Sequence, residues 1–147
     1  MKKRIIINNI EEIINLGKRL GELAKPNMVY ALNGILGAGK TTLTKGIALG
    51  LGIKKIVNSP TFTIMKIYQG KMPLFHIDAY RISEETEDED LLEYFEMSGL
   101  TVIEWADNIK EMIGEVLNID ISIIGEEKRE ILIHSLNEEY FEVINKI

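Results

Sequence analysis

Residues Gly34-Ile35-Leu36-Gly37-Ala38-Gly39-Lys40-Thr41 have the types and spacing that hold a phosphate chain. Every fixed position of G-x-x-x-x-G-K-T/S is satisfied. Small residues at Gly37, Ala38 and Gly39 let the backbone curl with its N–H groups turned inward, which makes an anion nest. A helix starting at this point aims its positive dipole end at the same anion. Lys40 has the reach for β- and γ-phosphates, the Thr41 hydroxyl suits Mg²⁺, and Thr42 follows in the first helical turn. The loop alone does not say which nucleotide is bound, or whether it is hydrolysed, transferred or sensed. The guanine-reading sequence N-K-x-D is absent, which favours ATP.

A metal on such a phosphate chain needs an acidic side chain at a neighbouring strand end. Leu74-Phe75-His76-Ile77-Asp78 ends on one carboxylate and Thr101-Val102-Ile103-Glu104 on another. In open α/β sheets, ligands gather outside the carboxyl ends of the strands, where both acids would project. His76, inside an apolar strand, reads as a hydrogen-bonded core residue, and His134 offers less reason for a functional role. The acidic run from Glu84 to Asp90 reads as a solvated helix start.

The elements that must position these groups follow from periodicity. Residues 4–8 read as a short buried strand, and Asn9 caps a helix on which Ile10, Ile13, Ile14, Gly17, Leu20, Gly21 and Ala24 recur at helical spacing. Met28 to Leu32 is an apolar run of strand length, as expected of a strand buried on both faces. The helix after the glycine loop should end at Gly50-Leu51-Gly52. Strand-like pieces follow around 62–69, 73–78 and 100–104, with a helix carrying Leu91, Leu92, Tyr94 and Phe95 between the last two. Val116, Ile119, Ile121 and Ile123 alternate as in a strand, Glu130 to His134 returns across a turn, and Asn137 opens a terminal helix with Tyr140, Phe141, Ile144 and Ile147 inward. The expected fold is α/β: three layers, a mixed and mostly parallel central sheet, and helices on both faces. Residues 1–147 read as one domain, with no repeat or linker.

Composition narrows the function classes. The chain is 46% apolar and 27% charged, ordinary values for a soluble domain. No apolar run approaches the ~18 residues of a spanning helix, so no membrane association is expected. Met1-Lys2-Lys3-Arg4 begins like a signal peptide, but the apolar stretch after it stops at Ile7, so secretion is not expected. The absence of cysteine excludes disulfides and thiolate metal sites and fits a cytoplasmic protein. A net charge of −6 opposes direct, salt-driven binding of nucleic acid.

Four segments carry a resemblance: Gly-Ile-Leu-Gly-Ala-Gly-Lys-Thr-Thr (34–42), Asn-Ser-Pro-Thr-Phe-Thr (58–63), Phe-His-Ile-Asp-Ala-Tyr-Arg (75–81) and Val-Ile-Glu-Trp-Ala-Asp (102–107). In order and spacing they resemble the TsaE (YjeE) family, P-loop ATPases of bacterial tRNA threonylcarbamoyladenosine biosynthesis. The resemblance covers nearly the whole chain. It implies an ATP-binding and -hydrolysing component that acts on the TsaD–TsaB pair and is not itself the transferase, with tRNA met only indirectly. It further implies that Thr41 and Glu104 hold Mg²⁺ and that Lys40 binds the terminal phosphates. Asp78 would lie behind the metal or help activate water. Ser59 and Thr61 would belong to a switch-like loop, and Tyr80, Arg81 and Trp105 to the sensing of nucleotide or partner. The chain departs from the family where a threonine near the adenine is replaced by Ile13.

The competing reading is a small-molecule P-loop kinase. Such enzymes usually carry an arginine-bearing lid that stabilises the transferring phosphoryl group. Here Arg4, Arg19, Arg81 and Arg129 are scattered along the chain.

Overall fold

The computed structural model describes residues 1–58, 65–80 and 97–147. The expectations for Ser59, Thr61, Arg81, the acidic run and the helix around Leu91 therefore lie outside the described residues. One seven-stranded sheet runs in the order β1-β7-β6-β2-β5-β4-β3. Its strands are β1 (Lys2–Ile7), β2 (Val29–Asn33), β3 (Met65–Gln69), β4 (Pro73–Asp78), β5 (Leu100–Glu104), β6 (Leu117–Ile123) and β7 (Arg129–His134). The β6–β2, β2–β5 and β5–β4 pairs are parallel, while β3 and β7 run against their neighbours. The remaining five strands share one direction, so the sheet is mixed and mostly parallel.

Helices α1 (Ile10–Leu23) and α2 (Lys40–Gly50) cover one face. Leu20, Leu43 and Ile47 pack there against Tyr30, Leu32, Leu100 and Val102 of the central strands. On the opposite face Ala106, Ile109 and Val116 close over Val29, Ala31, Ile77 and Ile103. These come from the 3-10 turn Ala106–Ile109, which leads into the single-turn helix Lys110–Ile113, and from the segment just before β6. The result is three layers.

Helix α1 starts where expected: the Asn9 side chain accepts from the Glu12 N–H at 2.9 Å, and Glu12 returns a bond to the Asn8 N–H, a reciprocal cap. Its contact with α2 is backbone on backbone. A Cβ on Gly17 would stand 2.5 Å from the Leu43 carbonyl oxygen, and one on Gly21, Gly46 or Gly50 would meet a carbonyl of the facing helix just as closely. The glycines set at helical spacing on both helices thus serve their close approach. The phosphate loop opens α2, so this contact also fixes the height of the loop above the sheet.

Several expectations are corrected. The buried strand expected at residues 4–8 is the edge strand β1, where Ile7 is buried and Ile6 is 50% exposed. Ile10 is 55% exposed, because the inward stripe of α1 runs through Ile13, Leu16, Gly17, Leu20 and Gly21. Val116 precedes β6 and packs on the opposite face from Ile119 and Ile121. Ile123, at the far end of β6, is 44% exposed, and no described helix extends over it. At the C-terminus Asn137 does cap, through the Glu139 N–H, but the cap starts a 3-10 turn; the helix Phe141–Lys146 follows, burying Val143 and Ile144.

Candidate functional site

Strand β2 is buried through Leu32, and the chain then turns through Gly34 to Gly39 into α2. Gly37 (φ 82°) and Gly39 (φ 119°) take the left-handed conformations that side chains resist, and this brings the loop back over the sheet edge. The Ala38 N–H donates to the Ile35 carbonyl at 3.0 Å, and the Arg129 Nε donates to the Ala38 carbonyl at 2.8 Å, bracing the loop from β7.

Lys40 is 5% exposed. Its ammonium donates to the carbonyls of Gly34 (2.5 Å) and Ile35 (3.0 Å) and lies 4.0 Å from the centroid of the Trp105 ring. Burial pushes its pKa below the usual lysine value, while the carboxylates of Glu104 and Asp78 pull it back up. The charge is therefore held by dipoles, a π face and two nearby acids, all weaker partners than a phosphate at contact.

Strand register brings the two acids together. Asp78 of β4 is paired with Glu104 of β5, and His76 with Val102. His76, Asp78 and Glu104 alternate onto the face that carries α2. The Thr41 hydroxyl meets Glu104 Oε1 at 3.0 Å, and His76 Nε2 meets Glu104 Oε2 at 2.5 Å, with both side chains of the second pair at most 5% exposed. Asp78 turns its Oδ1 to the Tyr80 N–H at 2.9 Å. A cavity of about 350 Å³ is bounded by Leu36, Gly37, Gly39, Lys40, Thr41, Thr42, Asp78, Glu104 and Trp105. A larger cavity, about 1030 Å³, is bounded by Asn33, Gly34, Asp120 and His134 among others, but not by Lys40, Thr41 or Glu104. The anion-binding groups thus converge on the smaller one.

Trp105 is one of two non-glycine residues with positive φ (60°), among the described residues. A left-handed conformation costs a bulky side chain on the order of 1–2 kcal/mol, and such strain collects where geometry matters. It carries the chain from the end of β5 into the 3-10 turn and aims the indole at Lys40. The Tyr80 ring lies against the same indole, centroids 5.1 Å apart. Asn108 donates to the Ala79 carbonyl at 2.9 Å and so holds the segment that bears Tyr80.

The sequence-derived candidates Gly37, Ala38, Gly39, Lys40, Thr41, Thr42, Asp78, Tyr80, Glu104 and Trp105 thus lie around one loop. Ile13 sits behind that loop, its Cδ1 atom 3.4 Å from where a Cβ on Gly39 would stand. Three contributors escaped sequence reasoning. His76 is a core residue as expected, but its polar partner is Glu104. Its place two residues before Asp78, on the same strand face, was the available signal. Arg129 and Asn108 act through backbone carbonyls and leave no pattern in sequence.

An oxygen donor pair from Thr41 and Glu104, beside a phosphate nest, matches the taste of Mg²⁺, which keeps most of its shell as water and phosphate oxygen. Among the described residues no group of three or more acidic, histidine or cysteine side chains forms a self-sufficient metal cage. No described helix is long and apolar enough to cross a membrane.

Comparison with known proteins finds relatives along nearly the whole chain. The family model for threonylcarbamoyl adenosine biosynthesis protein TsaE matches residues 7–131. A tRNA threonylcarbamoyladenosine biosynthesis protein TsaE of Bacillus subtilis is 48% identical over 134 residues, spanning 90% of this chain and 85% of that one. Its namesake in Treponema pallidum is 34% identical over 133 residues, 88% of this chain and 98% of the other. The crystal structure of Bacillus subtilis YdiB superposes with a TM-score of 0.87 at 39% identity, covering 99% of this chain and 93% of that one.

Proposed function

The chain belongs to the TsaE family of threonylcarbamoyl adenosine biosynthesis proteins, and on that premise we propose that it is the Mg²⁺-dependent ATPase of this tRNA modification. Its role lies in tRNA threonylcarbamoyladenosine biosynthesis. The observation that supports the ATPase reading best is the convergence of Lys40, Thr41 and Glu104 on one cavity at the carboxyl ends of β2 and β5.

Residues 37–42 cradle the phosphates through backbone N–H groups and the dipole of α2. Lys40 leaves the carbonyls of Gly34 and Ile35 for the terminal phosphate oxygens. This exchanges bonds in which one partner is charged for bonds in which both are, the stronger kind. Thr41 and Glu104 would hold Mg²⁺, which would supply positive charge to the phosphoryl oxygens. Asp78, next to Glu104 in register and bordering the same cavity, orients the attacking water or the metal's own water shell. Ser59 and Thr61, which lie outside the described residues, are assigned the sensing of the γ-phosphate on the family resemblance alone. Tyr80, Arg81 and Trp105 carry the nucleotide state outward, and Trp105 is suited to this because it touches both Lys40 and Tyr80.

The partners on this reading are TsaD and TsaB, the transferase pair. The protein works in the cytoplasm on their complex and meets tRNA only through them. Its ATP turnover supports repeated cycles without taking part in the carbamoyl transfer. Reconstitution with TsaD, TsaB, ATP, threonine, bicarbonate and tRNA tests the proposal. Multiple rounds of modification should require this chain and fail with Lys40→Ala or Glu104→Ala. Undiminished turnover with both variants would refute it, and phosphorylation of an added metabolite would point to a kinase.

A further inference from the structure

We infer that His76 is the positioning residue for Glu104, a clamp that holds the carboxylate with one oxygen toward the core and the other toward Thr41. The inference rests on the reading of Thr41 and Glu104 as the magnesium-holding pair and deepens it.

Strand β4 is a core strand: Leu74, Phe75, His76 and Ile77 are all buried, and His76 is fully so. An imidazole there costs free energy unless its polar atoms are matched. Its one polar contact is Nε2 to Glu104 Oε2 at 2.5 Å; Nδ1 is buried with no hydrogen-bond partner among the described residues. Among the described residues the ring joins no wider network, and its bonding goes to a single oxygen. Because a carboxylate accepts, Nε2 carries the proton, and the tautomer is fixed. The remaining oxygen, Oε1, accepts from the Thr41 hydroxyl at 3.0 Å. Both oxygens of Glu104 are thereby assigned, Oε2 by the core and Oε1 by the nucleotide loop.

A glutamate without such a clamp rotates about its terminal torsion and loses entropy each time it meets a metal. Outer partners that orient a ligating carboxylate are worth about 10–100-fold in metal affinity. The strand register supplies this clamp economically. Asp78 lies directly opposite Glu104, and His76, two residues back on the same face, reaches it along the diagonal. One H-x-D sequence on β4 thus provides both the clamp for Glu104 and the carboxylate beside it.

The test measures ATP affinity by titration calorimetry, with Mg²⁺ and with EDTA, in wild type, His76→Phe and His76→Gln. The Phe variant fills the space without a donor; Gln restores an N–H near the position of Nε2. The Phe variant should bind metal-free ATP as the wild type does and lose roughly 10-fold or more of the Mg²⁺-dependent gain, with Gln recovering most of it. Should His76→Phe not fold, His76→Leu removes the donor with less volume. In the wild type, imidazole nitrogen shifts should report the Nε2–H tautomer and move when Mg²⁺ joins the ATP complex. A Phe or Leu variant that melts lower but keeps the whole Mg²⁺ gain would overturn the inference, as would unmoved imidazole shifts. A wild type with no Mg²⁺ gain would instead sink the metal reading on which it rests.

Discussion

The chain has two histidines, and each sets its Nε2 against a carboxylate that also accepts from a third group. His76 meets Glu104, which takes a bond from Thr41. His134 meets Asp120 at 2.7 Å, and Asp120 takes a bond from the Asn33 amide at 3.0 Å. His76 and Glu104 are almost wholly buried, at 0% and 5% side-chain exposure, with Thr41 half-buried beside them; His134 and Asp120 stand at 34% and 39%. The chemistry is matched and the surroundings are not. Water reaches and screens the second pair, so its contacts decide little. The first is shielded from water, so the orientation of the Glu104 carboxylate depends on the side chains that meet it. It also shares its cavity edge with a buried lysine, where a metal and a phosphate chain would supply the missing charge.

That contrast can be broken or sharpened by substitution. The largest effect is expected from Lys40→Ala, which removes the cation at the buried end. ATP hydrolysis in steady state should fall by about 10²–10³-fold, and retention of wild-type turnover would place the chemistry elsewhere. Next comes Gly46→Ala, which touches neither trio but pushes a Cβ into the Ile14 carbonyl and lifts α2 from α1. A stability loss of about 1–3 kcal/mol is expected in urea melts. ATP affinity should weaken with it, because the loop rides on α2. Asp120→Asn at the exposed trio should cost about 1 kcal/mol or less and leave ATP affinity unchanged.

The smallest effect belongs to a still more exposed cluster. Glu142 bonds to Lys146 and Lys25, and these two ammonium groups hold its pKa down to about 2. A depressed carboxylate pKa stabilises the fold above the unfolded value near 4.5 and loses that contribution as pH falls toward 2. Acid titrations of wild type and Glu142→Gln should therefore differ only slightly near pH 6 and converge at the acid end.

The sequence exposed the buried end better than the exposed one. Gly34 to Thr41 announced itself because a nest, a dipole and a lysine need fixed spacing, and Asp78 and Glu104 because they end apolar runs. The central strands were legible for a similar reason: Val29 to Leu32 is apolar on both faces, and Leu100, Val102 and Ile103 run apolar up to Glu104. What stayed hidden depends on register and on backbone acceptors. No spacing rule says that β4 lies beside β5 with Asp78 opposite Glu104, so the reach of His76 could not be read. Arg129 braces the Ala38 carbonyl from a strand far along the chain, and Asn108 holds the Ala79 carbonyl; neither bond involves a second side chain. Ile10 belongs to the helical period but lies outside the buried stripe of α1, which runs through Ile13, Leu16, Gly17, Leu20 and Gly21.

The central claim is that Glu104 serves the nucleotide's metal while the look-alike Asp120 does not. Titration of ATP with and without Mg²⁺ into wild type, Glu104→Gln and Asp120→Asn tests it most directly. The account predicts that Glu104→Gln keeps its metal-free affinity and loses the Mg²⁺-dependent gain, while Asp120→Asn keeps both. A full Mg²⁺-dependent gain in Glu104→Gln, or its loss in Asp120→Asn, would contradict it.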